Sequence, residues 1–219
     1  MKAEKEIEVY SGYSMTQPPK AVLPEGAGAY LVFKRGFDLI AGAIGIVLAA
    51  PIILIFSLLI VMETPGSPFY VQERVGKGGR IFRLVKLRSM RKDAERSGAK
   101  WAEAHDPRVT RVGHFIRKTR IDELPQFLSV LKGDMSLIGP RPERPMFTEA
   151  FEREIPGFKN RLLVKPGLTG LAQVSGGYDL SPKEKLVYDL EYVRHLSLTL
   201  ELRILLRTVK VLLTGEGAR

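Results

Sequence analysis

The sequence predicts a soluble-type domain, mostly helical with one β-hairpin, attached to a single membrane segment. Three observations carry that expectation. Leu39 to Met62, LIAGAIGIVLAAPIILIFSLLIVM, is a run of 24 residues without a charge, and the rest of the chain is distinctly polar. The net charge is +10, and the excess follows the apolar run: five Lys/Arg and five Asp/Glu precede Glu63, whereas 29 and 19 lie from it onward. A chain of 219 residues is long enough for one substantial core. Excess positive charge suits nucleic acid, an anionic lipid surface or phosphorylated substrates. Cysteine is absent, which excludes disulfides, thiol catalysis and Cys-ligated zinc. His105, His114 and His195 are too scattered to suggest a His-based metal site.

Residues 1–30 read as a loose polar tail, with Pro at 18, 19 and 24. The apolar run starts too far in, and continues too long, for a cleaved signal peptide. As one straight helix it would reach ~36 Å, against ~30 Å of bilayer core. Two features argue instead for a segment over 31–62 that enters the membrane and turns back. Pro51 divides the run into two halves of twelve. Its ring removes the bond to the Val47 carbonyl and favours a kink, and each half then reaches ~18 Å. Lys34 and Arg35 precede the run, and Arg74, Lys77, Arg80 and Arg83 follow it. Positive-inside logic wants both flanks on the cytoplasmic side. An ordinary single span is the alternative, since Pro is tolerated in spanning helices.

Beyond Glu63, FYVQERV and IFRLVKL alternate around GKGG and predict a hairpin. Lys77 in that turn is a weak sign of a phosphate cradle. Lys86 and Arg88, two apart, would share one strand face. KDAERSGAKWAEA has helical composition, and RVGHFIRKTR is basic and amphipathic. DELPQFLSVLKG reads as a helix start, an apolar run and a stop at Gly133. PRPERP is stiff, FTEAFEREIPGF is a charged helix, and VKPGLTGLAQVSGG reads as an irregular loop that follows a surface closely. Ser181 and Pro182 open another helix as N-cap and first residue. In the last helix Arg203, Arg207 and Lys210 share a face, with Leu202, Leu205, Leu206, Val209 and Leu213 largely opposite. That pattern suits a helix lying on an anionic membrane, and equally one facing a core.

TRIDELPQ, residues 119–126, sets Asp122 beside Glu123 in a basic neighbourhood. Spacing alone favours a modest reading: Asp122 caps a helix whose first turn holds Pro125, and Glu123 complements the positive end. The chemistry allows another. Neighbours on a helix point ~100° apart, so two such acids would not share a proton and would take different jobs. One carboxylate can attack phosphorus, and the other can hold Mg²⁺. Arg117, Arg120 and Arg141 are the residue type that forks onto phosphate, and cationic neighbours keep carboxylates ionised. Together they make a credible phosphoryl-transfer site.

KTRIDELPQFLSVLKGDMSLIGPRPE, with KLRSM upstream and KPGLTGLAQVSG downstream, resembles the bacterial sugar transferases, the monotopic polyprenyl-phosphate phosphoglycosyl transferases. The resemblance runs from about Phe33 to Leu213, in several long motifs in order. It implies an α/β fold, a helix-rich α+β: a single small catalytic domain over 63–219, a Pro-broken re-entrant membrane helix, and amphipathic interfacial helices among the membrane phospholipids. It implies Mg²⁺-dependent transfer of a sugar-1-phosphate from a UDP-sugar to undecaprenyl phosphate, releasing UMP, on the cytoplasmic face of the bacterial inner membrane. Such a step starts exopolysaccharide, O-antigen or glycoprotein assembly. By match to the family motifs, Asp122 would be the nucleophile that forms an aspartyl phosphosugar, and Glu123 would serve the metal. Arg117 would contact phosphate, and Pro140, Arg141 and Pro142 match a Pro-Arg-Pro motif that Glu143 extends. Lys86, Arg88 and Gln173 are expected near the site. One departure stands out: the Ser that usually precedes the break proline is Ala50 here, which has no hydroxyl to rebind a freed carbonyl. Larger relatives carry a multi-span N-terminal region, and this chain is expected to be the minimal catalytic form. Two rival readings remain on the sequence: a single displacement in which both acids only bind metal, and a basic membrane-tethered nucleic-acid or scaffold module. The second lacks any aromatic stacking motif or recognition-helix signature, so no nucleic acid is expected as a partner. No motif chooses the sugar or the oligomeric state.

Overall fold

After Pro24–Gly26 the chain has no proline until Pro51 and is rich in Ala, Leu and Ile, so it winds into a long helix, α1 (Ala27–Glu63), despite four glycines before Pro51. It starts four residues before the expected boundary at 31, and it continues as one element through Pro51. The computed structural model describes residues 22–94 and 106–214. Most of the helix expected from KDAERSGAKWAEA, and residues 1–21 of the tail, lie outside them. A hairpin follows, β1 (Phe69–Val75) and β2 (Ile81–Leu87), joined through a 3-10 turn at Lys77–Gly79. Then come α2 (Arg111–Lys118), a 3-10 turn at Ile121–Gln126, α3 (Phe127–Lys132), β3 (Ser136–Ile138) and α4 (Pro145–Glu154). A 3-10 turn at Phe158–Leu163 leads to β4 (Gly167–Thr169), α5 (Leu171–Ser175), α6 (Pro182–Arg194) and α7 (Leu198–Thr214). The result is helix-rich, with two small two-stranded sheets.

Several local expectations hold. The hairpin is antiparallel, pairing Tyr70 with Lys86. α3 stops at Gly133, whose φ of 88° is the left-handed conformation that ends helices at low cost to glycine. Ser181 and Glu184 form a complete capping box at the start of α6, with Pro182 as first residue. Others do not hold. Asp122 caps nothing; the residue ahead of its turn is Arg120, at φ 57°, and no side chain caps that turn. VKPGLTGLAQVSGG is not irregular. It supplies β4, which pairs in parallel with β3, and then α5. Its glycines hid this by serving close approach: a Cβ on Gly167 would lie 2.1 Å from the Gly139 nitrogen.

α1 buries one stripe along its whole length. Lys34, Asp38, Gly42, Ala49 and Ile60 are buried and Ile53 and Phe56 half-buried, at helical spacing. Gly45 lies against the Phe127 ring, and Phe56 stacks on Phe115 with centroids 5.6 Å apart. Most of the opposite face, Val47, Leu48, Leu54 and Leu58 among it, is exposed. Pro51 is on that outer face. A proline ring wedges its own side open, so a bend at Pro51 would curve α1 toward the domain. Among the described residues α1 is the one helix long and apolar enough to cross a membrane.

Lys34 and Arg35 are not the free flanking charges that the sequence suggested. Lys34 is buried, 2.6 Å from Glu201 and 4.0 Å from Asp38. Arg35 donates to the Val130 and Leu131 carbonyls in the last turn of α3, at 2.7 and 2.8 Å. Asp38 accepts from Ser136 Oγ at 3.0 Å and from the Leu137 N–H at 2.9 Å, which fixes β3 to α1. At the other end Glu63 accepts from the Arg111 and Val112 N–H groups and so caps α2. The core between these anchors packs Leu84, Met135, Ile138, Tyr188, Tyr192 and Ile204.

α7 has three faces rather than two. Glu201, Ile204 and the half-buried Leu205 face the core, so Leu205 leaves the outer apolar set that the sequence assigned it to. Leu198, Leu202, Leu206, Val209 and Leu213 are exposed, and Arg203 and Lys210 form an exposed basic edge.

Candidate active site

The TRIDELPQ segment enters the site at a corner. Arg120 is the only non-glycine residue with positive φ among the described residues, and it turns the chain from α2 into the 3-10 turn that carries both acids. Asp122 and Glu123 are both buried, each 8% exposed. β2 supplies Lys86, whose Nζ donates to Glu123 Oε1 at 2.8 Å and stands 4.0 Å from Asp122 Oδ2. The segment after β3 supplies Arg141. Its guanidinium forks onto Glu123, with Nη1 to Oε2 at 3.2 Å and Nη2 to Oε1. That is the bidentate geometry in which arginine binds carboxylates most strongly.

The two acids therefore differ sharply. Burial disfavours the charge of Glu123, but Arg141 and Lys86 overcome it and hold the carboxyl well below the usual range. Burial pushes Asp122 up to about 6; Lys86, Arg141 and Arg117 oppose the rise, and Glu123 adds to it. The expectation that neighbouring arginines simply keep both acids ionised holds for Glu123 and needs correction for Asp122, where desolvation wins. Asp122 is still mostly a carboxylate at neutral pH, and it is the acid that no cation clamps.

The predicted site residues divide into those that converge and those that do not. Asp122, Glu123, Lys86 and Arg141 meet. Arg117, in the last turn of α2, is half-buried and among the described residues makes no side-chain hydrogen bond; its charge is felt by both Asp122 and Asp106. An uncommitted guanidinium beside the acids is well suited to a phosphate. Arg88 does not join them. β2 ends at Leu87, and Arg88 turns back to donate to the Pro65 carbonyl at 2.9 Å and to the Thr64 carbonyl and hydroxyl. It closes the C-terminal end of α1. Gln173 sits in α5 and donates to the Leu168 carbonyl at 2.9 Å, behind the Pro140 loop. Pro140, Pro142 and Glu143 shape that loop: Glu143 stands 3.8 Å from Arg74, and its carbonyl accepts from the Val75 N–H. Sequence reasoning missed Asp38, Arg161 and Asp189. Asp38 carried a signal, a lone acid four residues after Lys34 at the edge of an apolar run. The Arg161–Asp189 pair carried none.

A long helix with an exposed apolar face is thus joined to two buried acids and three basic side chains. The chain belongs to the bacterial sugar transferase family, whose model matches residues 29–215. It is 59% identical over 162 residues, 74% of this chain and 90% of the relative, to a Bacillus subtilis (strain 168) protein named "Putative undecaprenyl-phosphate N-acetylgalactosaminyl 1-phosphate transferase". It is 49% identical over 193 residues, 87% of this chain, to the Aeromonas hydrophila UDP-N-acetylgalactosamine-undecaprenyl-phosphate N-acetylgalactosaminephosphotransferase, spanning 46% of that protein. A third relative, from Caulobacter vibrioides, is a UDP-glucose:undecaprenyl-phosphate glucose-1-phosphate transferase, 42% identical over 84% of this chain and 71% of its own length.

Proposed function

We propose that this chain transfers a sugar-1-phosphate from a UDP-sugar to undecaprenyl phosphate through a covalent intermediate on Asp122. The observation that carries the reading is the unequal pair: Glu123 is gripped by Arg141 and Lys86, and Asp122 beside it is not. In the first step an Asp122 carboxylate oxygen attacks the sugar-bearing phosphorus. The bond from that phosphorus to the bridging oxygen breaks, and UMP leaves with the oxygen. In the second step a phosphate oxygen of undecaprenyl phosphate attacks the same phosphorus and releases the Asp122 carboxylate. Arg117 and Arg141 would bind the phosphoryl oxygens, where fixed positive charge favours the transition state.

Mg²⁺ fits the donor chemistry. Glu123 offers hard carboxylate oxygens, and a site built on one carboxylate can complete its coordination with substrate phosphates and water. Among the described residues no group of three or more His, Asp or Glu offers a dedicated cage, so Glu123 would be the principal ligand. When bound, the ion would neutralise charge building on the departing diphosphate oxygen.

The domain would work at the cytoplasmic face as a monotopic protein. Residues 34–38 at one end of α1 and Glu63 at the other are bonded to the same folded body. This favours a helix that enters and leaves on one side over one whose ends lie on opposite sides. The sugar is best sought first among N-acetylated hexosamines, given the two relatives of highest identity above.

The test is UMP release from labelled UDP-sugar before any lipid is added. Asp122→Asn is expected to lose the burst by more than about 1,000-fold, and mass spectrometry of the wild type is expected to trap a sugar-phosphate on Asp122. A wild-type burst in the Asn variant would sink the assignment, and an untrappable adduct with non-ping-pong kinetics would favour direct displacement. Since Asp122 must be ionised to attack, and its carboxyl is pushed up to about 6, the burst should fall as pH drops through about 6. Burial likewise pushes Asp189 up to about 6, so a fall at acid pH that survives in Asp189→Asn belongs to Asp122.

A further inference from the structure

We propose that the buried pair Arg161–Asp189 positions Arg141 for the reaction, acting through the main chain and not on substrate. The inference rests on reading Asp122, Glu123 and Arg141 as the phosphoryl-transfer site.

Pro140 and Pro142 take two N–H donors out of the segment that presents Arg141, so regular structure cannot hold it. It is held by its carbonyls. The Pro140 carbonyl accepts from the Gly167 N–H at 2.9 Å, and the Arg141 carbonyl from Arg161 Nη2 at 2.8 Å. The Pro142 carbonyl accepts from Arg74 Nη1 at 2.9 Å, and the Glu143 carbonyl from the Val75 N–H at 2.9 Å. Four consecutive carbonyls each have a donor, and the donor for Arg141 itself is a buried guanidinium.

Arg161 is 3% exposed and Asp189 1%. Their charged atoms stand 2.6 Å apart, and the guanidinium lies 4.9 Å from the centre of the Phe158 ring. Taking both charges out of water costs more than such a pair commonly returns, so it is a poor source of stability. What it does is aim. Asp189, on α6, fixes the guanidinium, and the guanidinium fixes the carbonyl of the residue whose side chain forks onto Glu123. A rigid neighbouring shell of this kind holds site residues to their working geometry.

The experiment replaces the pair by apolar residues, Arg161→Met with Asp189→Leu, an exchange that often preserves stability. The thermal midpoint is read together with kcat and KM for UMP release. The expected result is a folded protein whose kcat falls about 10- to 100-fold while KM for the UDP-sugar changes less than about 3-fold, because Arg141 is then misplaced for the transition state. A folded double variant with wild-type kcat overturns the proposal, and so does one whose loss lies mainly in KM. If the double variant does not fold, Arg161→Lys keeps the charge beside Asp189 but loses the fork. A lower kcat with KM little changed there supports the proposal; any other result for the folded Lys variant overturns it. Arg141→Ala separates the two readings. Wild-type UMP release in that variant sinks the site itself, whereas its loss alongside unaffected Arg161 variants sinks only the positioning role.

Discussion

At its N-terminal end α1 is held by buried charge: Lys34 against Glu201 and Asp38, and Asp38 against Ser136 and the Leu137 N–H. At its C-terminal end the anchor on α2 is at the surface, where the exposed Glu63 caps that helix, while the buried Arg88 grips the Thr64 and Pro65 carbonyls. Both ends bear on the site. The first fixes β3, which runs into Arg141; the second fixes α2, which carries Arg117, and the end of the strand that carries Lys86. They differ in what failure costs. A buried charge that loses its partner cannot turn to water, whereas an exposed cap can.

Asp38→Ala should therefore be the most damaging change at either end. It leaves the Ser136 hydroxyl and the Leu137 N–H without their acceptor in the interior and takes from Lys34 the more distant of its two carboxylates, at a cost of about 3–5 kcal/mol, or roughly 10 °C in thermal midpoint for a domain of this size. Lys34→Met comes next, at about 3 kcal/mol, because Glu201 then keeps hydroxyl partners, Tyr192 at 2.7 Å and Tyr30, but loses its nearest cation. Glu63→Ala removes a cap and should cost about 1 kcal/mol. UMP release in that variant should weaken through a higher KM for the UDP-sugar, since Arg117 is loosened and not lost. Phe56→Leu, which ends the stack on Phe115, should cost least, about 0.5–1.5 kcal/mol. Thermal unfolding of the four variants in one detergent ranks them. If Glu63→Ala proves as costly as Asp38→Ala, the distinction between buried and surface anchoring is wrong.

The sequence reading captured elements whose signals are local. Alternation exposed the hairpin, Gly133 marked the end of α3, and Ser181–Pro182 marked the start of α6. The acid pair was legible as chemistry, because two adjacent carboxylates among arginines are an unusual local arrangement. Contacts between distant residues were not legible. Lys34 looked like a membrane flank until Glu201, 167 positions later, came to meet it. Arg88 looked like a site residue because it follows Lys86 by two, but the strand ends between them. β3 and β4 are three residues each, too short to show a period, and the glycines that let them touch read as disorder of pattern.

α7 carries a further consequence. Its inward stripe, near Glu201 and Ile204, and its outer stripe, Leu198 to Leu213, lie about 110° apart around the helix by spacing alone. The inward stripe is fixed to the domain. Any oily layer that covers the outer stripe therefore meets the protein at a set angle, as a hinge plate sets the swing of a door. That angle is encoded by residue count: one residue inserted between Ile204 and Leu206 would rotate everything beyond it by ~100°. The orientation of the acid pair relative to that layer would then be governed by a single helix whose inward residues, Glu201 and Ile204, belong to the core and not to the site.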